Sequence, residues 1–263
     1  MADQMSEPLV ETAPPPSRAS DKWWPPLTAL AGAALLGIAA YAGSLALGGA
    51  MLVVSAVMIW GWPRLLELPA PRGTYAALGI SAVLAMTAVA LTREDPLLDW
   101  LALAAAGGVV VCFLHQLLRR DGRPRLVESL SGEVMAVSLL TCGAALVGLP
   151  RTPGGADAVL TLAAAVAAIA LVELVRLPER LFTLPATVGA AAAGALAAGL
   201  AADTPVAFGA VVGLAFAIGT ICVRRLFMSR PVLAFLPAAL SLAVAPIMAG
   251  GIVTYVLARL FIG

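Results

Sequence analysis

The feature that most limits what this chain can become is a succession of long apolar stretches with almost nothing charged inside them. They run over 27–42, 45–60, 73–91, 97–118, 130–149, 156–175, 183–202, 205–223 and 233–260. A bilayer's hydrocarbon core takes about 20 helical residues to cross. The rest of the chain offers no material for a soluble core. Charged residues are 12% of the chain and apolar ones 61%, with a mean hydropathy of +0.99, whereas soluble domains carry about 25% charge. Such a chain has too little polar surface to face water. In lipid its backbone polar groups must be satisfied within each segment, which favours helices.

The expected fold is therefore all-α, a bundle of about nine transmembrane spans over residues 25–263. Residues 1–24 are polar, with Pro14, Pro15 and Pro16 in a row, and read as a disordered cytoplasmic tail. Ala40-Tyr41-Ala42 follows the first apolar stretch like a cleavage site, but Asp3, Glu7, Glu11 and Asp21 are wrong for a basic leader. The last stretch contains Pro246, Gly250 and Gly251. It reads either as one kinked span or as a re-entrant piece plus a span, which makes the count nine or ten.

Charge sets the orientation. The tail and the even-numbered loops hold thirteen of the 16 basic residues, the odd-numbered loops hold Arg93 and Arg151, and Arg259 stands near the C-terminus. Short basic loops stay in the cytoplasm, so the expectation is a bacterial inner membrane protein with its N-terminus inside. Trp23, Trp24, Trp60, Trp62 and Trp100 fall at span ends, the interfacial depth where tryptophan anchors a helix. A net charge of +1 gives no field for nucleic acid. The expected partners are the bilayer and its anionic headgroups.

An internal duplication is legible. Arg64-Leu65-Leu66-Glu67-Leu68-Pro69-Ala70 after span 2 matches Arg180-Leu181-Phe182-Thr183-Leu184-Pro185-Ala186 after span 6. Arg119-Arg120 and Arg123-Pro124-Arg125-Leu126 match Arg224-Arg225 and Arg230-Pro231-Val232-Leu233, and breaks at Asp95-Pro96 and Asp203-Thr204-Pro205 correspond. These pairings make 45–149 and 156–260 parallel repeats of four spans, with span 1 extra.

Residues that carry chemistry gather between spans 4 and 5. Arg119, Arg120, Arg123 and Arg125 lie within seven residues, flanked by His115, Asp121 and Glu128. Four guanidiniums at that spacing suit a phosphate or lipid headgroup, helped by the start of span 5. The same loop is also the strongest orientation signal in the chain. Glu133 and Glu173 are possible intramembrane acids, and Glu173 is expected to pair with Arg176 along its helix. The three cysteines, Cys112, Cys142 and Cys222, and the single histidine have no disulfide, zinc or haem spacing, so no metal or cofactor is expected. Walker A, HExxH, GxSxG and GxGxxG contexts are absent. Gly189, Gly194 and Gly199 are expected at close helix contacts.

The run from His115 to Ser129 resembles a stretch of polytopic membrane proteins from high-GC Gram-positive bacteria. The resemblance covers most of the chain, implies an inner-membrane protein and transfers no catalytic or binding residue. The signature of membrane cytidylyltransferases, denser in Lys, Asp, His and Gly, is not matched. Three classes stay open: a transporter or flippase for a small or lipid-linked anionic solute, with a groove between the repeats; an enzyme on a phosphorylated lipid, with acids, His115 and arginines in one pocket; and a non-catalytic membrane scaffold.

Overall fold

The computed structural model describes residues 23–201, 204–227 and 231–263. The tail 1–22, Asp203 of the break before span 8 and Arg230 of the second arginine motif lie outside the described residues. Within them the chain forms α1 (Trp24–Ala42), α2 (Ser44–Leu65), α3 (Pro71–Leu91), α4 (Leu101–Leu118), α5 (Leu126–Ala144), α6 (Gly155–Leu174), α7 (Glu179–Leu200), α8 (Val206–Phe227) and α9 (Leu236–Phe261). A 3-10 tail, Ala145–Arg151, prolongs α5, and a 3-10 turn, Pro231–Ala234, leads into α9. No strand occurs among the described residues. All nine helices are long and apolar enough to cross a membrane. This is a multi-pass, all-α integral membrane protein.

Proline and glycine mark the boundaries. Prolines occupy the first turns of α1, α3 and α9, where a missing N–H is harmless. One residue, Gly43, joins α1 to α2 at φ 103, a conformation open to glycine alone at low cost. The last span is a single helix that continues through Pro246, Gly250 and Gly251, so the re-entrant alternative falls away. A proline removes one helical hydrogen bond, and packing against neighbouring helices keeps such a segment helical in lipid.

α9 is the hub, packing on α1, α2, α5, α6 and α8. Two three-helix groups flank it: α3, α4 and α5 pack mutually, as do α6, α7 and α8. α1 bridges α2 and α6. The α2–α9 contact is intimate. A Cβ on Gly61 would lie 1.8 Å from the Pro237 carbonyl oxygen, and Ser241 Oγ donates to the Met58 carbonyl at 2.8 Å. α7 and α8 also touch backbone to backbone. A Cβ on Gly213 would lie 2.1 Å from the Ala190 carbonyl oxygen, and one on Gly209 the same distance from that of Gly194. Of the glycines expected at helix contacts, Gly194 lies on this seam, whereas Gly189 and Gly199 meet only the side chains of Val172 and Val206. Outward residues such as Leu184 and Leu200 are 72% and 89% exposed, an apolar surface that lipid covers and water does not tolerate.

The helix ends are tied together across elements. At the end that holds the α3–α4 and α5–α6 connections, Arg151 donates to the last carbonyls of α3, Thr92 and Val89, a favourable place for a cation. Tyr41 donates to Asp157 at 2.5 Å, linking α1 to α6. Arg259 pairs with Asp95 at 3.5 Å. The opposite end carries the loops rich in arginine. Trp23 and Trp24 stack there at 3.9 Å and stay half exposed, as interfacial anchors do. Trp62 departs from that expectation. It is 1% exposed and donates its indole N–H to the Gly132 carbonyl at 2.9 Å, locking α2 to α5.

Candidate functional site

Three helix ends meet just inside the arginine-rich end. α3 opens with Gly73 and Thr74, α4 closes with His115 and Gln116, and α5 carries Ser129 and Glu133 one turn apart on its inward face. Glu133 is fully buried, with 0% of its side chain exposed, and its Oε1 lies 2.8 Å from His115 Nδ1. The Thr74 hydroxyl donates to the same oxygen at 2.7 Å. The other carboxylate oxygen, Oε2, is buried with no hydrogen-bond partner among the described residues. Such an atom is expensive in a membrane protein.

Backbone shape makes room for the pair. A Cβ on Gly73 would lie 1.9 Å from His115 Nε2, so only glycine lets the imidazole lie between α3 and α5. Gln116 donates to Ser129 Oγ at 3.0 Å and accepts from Arg119 at 2.8 Å. Arg119 in turn makes two bonds to the Asp121 carboxylate, at 3.2 and 2.8 Å. Its side chain is 4% exposed, so this arginine belongs to the interior. The Arg119 guanidinium, helped by the Arg123 backbone N–H, holds the exposed Asp121 carboxyl below its ordinary range.

The remaining loop arginines do not converge. Arg123 folds back to the Leu117 carbonyl at 2.8 Å. Arg125 pairs with Glu128 and donates to the Glu67 carbonyl at 2.9 Å, joining this loop to the α2–α3 loop. Arg120, Arg123 and Arg125 are exposed. Arg123 and Arg125 are left-handed, at φ 54 and 52, which costs about 1 kcal/mol or more each. Glu128 lies in the first turn of α5, where it complements the helix dipole.

Glu173 stands apart, at the end of α6. Its ion pair is with Arg224 of α8, not with Arg176 of its own helix. α6 stops at Leu174, and Arg176 lies past the end at φ 54. Arg224 also lies over the Phe182 ring, 4.1 Å from its centroid.

The structure thus joins His115 to Glu133 and Arg119 to Asp121 in one network. It pairs Arg125 with Glu128 at the surface, leaves Arg120 exposed and places Glu173 elsewhere. Sequence reasoning missed Thr74, Gln116, Ser129, Gly73 and the inward turn of Trp62. The only signal was that Gln116 and Ser129 flank the arginine loop, and nothing in the sequence pairs them. Among the described residues no three or more His, Cys, Asp or Glu side chains gather as metal ligands. A separate cavity of about 90 Å³ lies between α6, α8 and α9, lined by apolar side chains including Leu162, Val212, Phe216 and Pro246. Comparison of the chain with protein-family profiles, curated proteins and solved structures gives no match.

Proposed function

We propose that this is a bacterial inner-membrane carrier, with its N-terminus in the cytoplasm, for a small or lipid-linked anionic solute. One observation carries the reading: a largely buried polar cluster (Thr74, His115, Gln116, Ser129 and Glu133), hydrogen-bonded between helices, lies directly inside the loop that holds the exposed Arg120, Arg123 and Arg125. Polar and ionisable groups at membrane depth are retained for a task. Arg120, Arg123 and Arg125 do not converge on one anion, so they act as a diffuse positive field that concentrates anions at this end, beside the cluster. Thirteen basic residues on the tail and alternate loops support the orientation. The duplication of 45–149 as 156–260 belongs to the same proposal. Parallel repeats are frequent in carriers.

A membrane enzyme acting on a phosphorylated lipid is the second reading. The His115–Glu133 contact favours it, since a carboxylate beside imidazole Nδ1 orients a general base. A scaffold is the third.

The test is transport by the full chain in proteoliposomes. One arm follows flipping of fluorescent phosphatidylglycerol against phosphatidylcholine by dithionite quenching, and the other follows uptake of radiolabelled phosphate. Carriage predicts movement of one anion at least about tenfold faster than in empty vesicles, lost when Arg120, Arg123 and Arg125 are changed together to Gln. Arg119 stays in place because it is part of the interior. Movement no faster than in empty vesicles in both arms overturns the reading. A chemically altered lipid recovered from the vesicles moves the assignment to the enzyme.

A further inference from the structure

We infer that His115 and Glu133 form a proton-binding site inside the spanning bundle, and that the proton is the ion coupled to carriage. The coupling rests on the carrier reading; the site itself does not.

The geometry is that of a shuttle and a store. The His115 side chain is 13% exposed and the Glu133 side chain 0%, so the carboxyl is sealed and what access the pair has runs through the imidazole, whose Nε2 edge packs against Gly73. Every polar contact to the carboxyl falls on Oε1, from Nδ1 at 2.8 Å and from Thr74 at 2.7 Å. Oε2 has no donor among the described residues, so the carboxylate lacks the full set of donors a buried anion needs.

Loading balances in two steps. Hydronium at the arginine-rich end gives a proton to the free nitrogen of neutral His115, leaving water and an imidazolium. The Nδ1 proton then crosses to Glu133 Oε1, leaving neutral imidazole and a carboxylic acid. The pair goes from net −1 to net zero, and release reverses both steps. A histidine that passes a proton between its two nitrogens is the ordinary shuttle of protein chemistry.

The surroundings leave this pair as the group that loads. α3 contributes Thr74 and Gly73, neither charged. α4 contributes the buried thiol of Cys112, within electrostatic reach of Glu133, together with Gln116 and Arg119. Arg119 is committed to Asp121. α5 contributes Ser129, bonded to Gln116. The Trp62 N–H of α2 is spent on the Gly132 carbonyl.

The chain contains one histidine, so ¹⁵N-histidine labelling reports this residue alone. The full chain in lipid nanodiscs is titrated by NMR, as wild type and as Glu133→Gln. A shared proton predicts ring-nitrogen transitions whose midpoints differ by about tenfold or more in proton concentration between the two proteins. Superimposable titrations overturn the site. Should Glu133→Gln fail to fold, Glu133→Asp is read by the same criterion. Coupling is read in the proteoliposomes under an imposed pH gradient, which is expected to accelerate carriage by wild type and not by Glu133→Gln. Wild-type carriage indifferent to the gradient overturns coupling. If no anion moves at all while the titrations differ, the carrier reading fails, the coupling fails with it, and the site stands.

Discussion

The two three-helix groups solve the same problem by different means. In α3–α4–α5 the helices are joined by side chains that bond across the gap: Thr74 to Glu133, His115 to Glu133, Gln116 to Ser129. In α7–α8 the backbones themselves meet at Gly194, Gly209 and Gly213. Hydroxyls of both groups also turn back on their own helices, Thr161, Thr187 and Thr220 in one and Ser81, Thr87, Ser138 and Thr141 in the other, and the Arg224–Glu173 pair adds a side-chain tie between α8 and α6. Lipid tails are as apolar as leucine, so nothing like hydrophobic collapse drives helices together in a bilayer. Close packing and interhelical hydrogen bonds remain. The α7–α8 seam of small residues uses the first. The polar cluster uses the second and leaves Glu133 Oε2 without a partner among the described residues, so close packing alone does not account for that group.

The largest expected effect breaks the backbone seam. Gly213→Leu drives a side chain into the Ala190 carbonyl and is expected to destabilise by at least about 3 kcal/mol, the upper end of overpacking. Unfolding in mixed detergent measures it. Gly219→Leu is the control on the same helix, since nothing lies within 4 Å of a Cβ there, and it should be silent.

Next comes the cluster. Glu133→Gln keeps the shape but spoils the donor match to His115 and Thr74, for an expected loss of about 1–3 kcal/mol. Gly73→Ala should move the His115 ring off Glu133 without touching either polar residue. Its histidine NMR signals are expected to resemble those of Glu133→Gln. If they match wild type instead, the glycine is not what holds the ring in place.

Thr74→Val removes one donor and is expected to cost about 1 kcal/mol, read by the same unfolding assay. The smallest effect lies at the surface. The Arg119 contact lowers the Asp121 pKa from its ordinary 3.8. Its contribution is therefore fully present above that ordinary value and is lost as pH falls through the lowered one. Asp121→Asn should flatten that part of the stability profile below about pH 4 and leave neutral pH almost unchanged. An unaltered acid limb means the ion pair contributes nothing there.

What could be read beforehand divides along physical lines. The nine spans were legible because each crosses the same apolar thickness and Pro or Gly marks many of its ends. Only the last, with Pro246, needed the structure. The Glu173 partner was not legible, because it depended on where α6 stops and on α8 lying alongside. The arginine loop was legible as a cluster in sequence but not as a dispersed set in space, since left-handed turns at Arg123 and Arg125 send neighbouring side chains different ways.

The sequence by itself determined the solvent, the helical class, the positions of all the crossings but the last and the asymmetry of charge between the two ends. These follow from hydropathy, length and arginine position, which need no knowledge of neighbours. The tertiary structure alone decided which face of each helix turns inward. In a soluble helix the polar side announces the answer, but a span is apolar all round, so its periodicity points nowhere. Thr74, His115 and Glu133 became one site only when α3, α4 and α5 were set side by side.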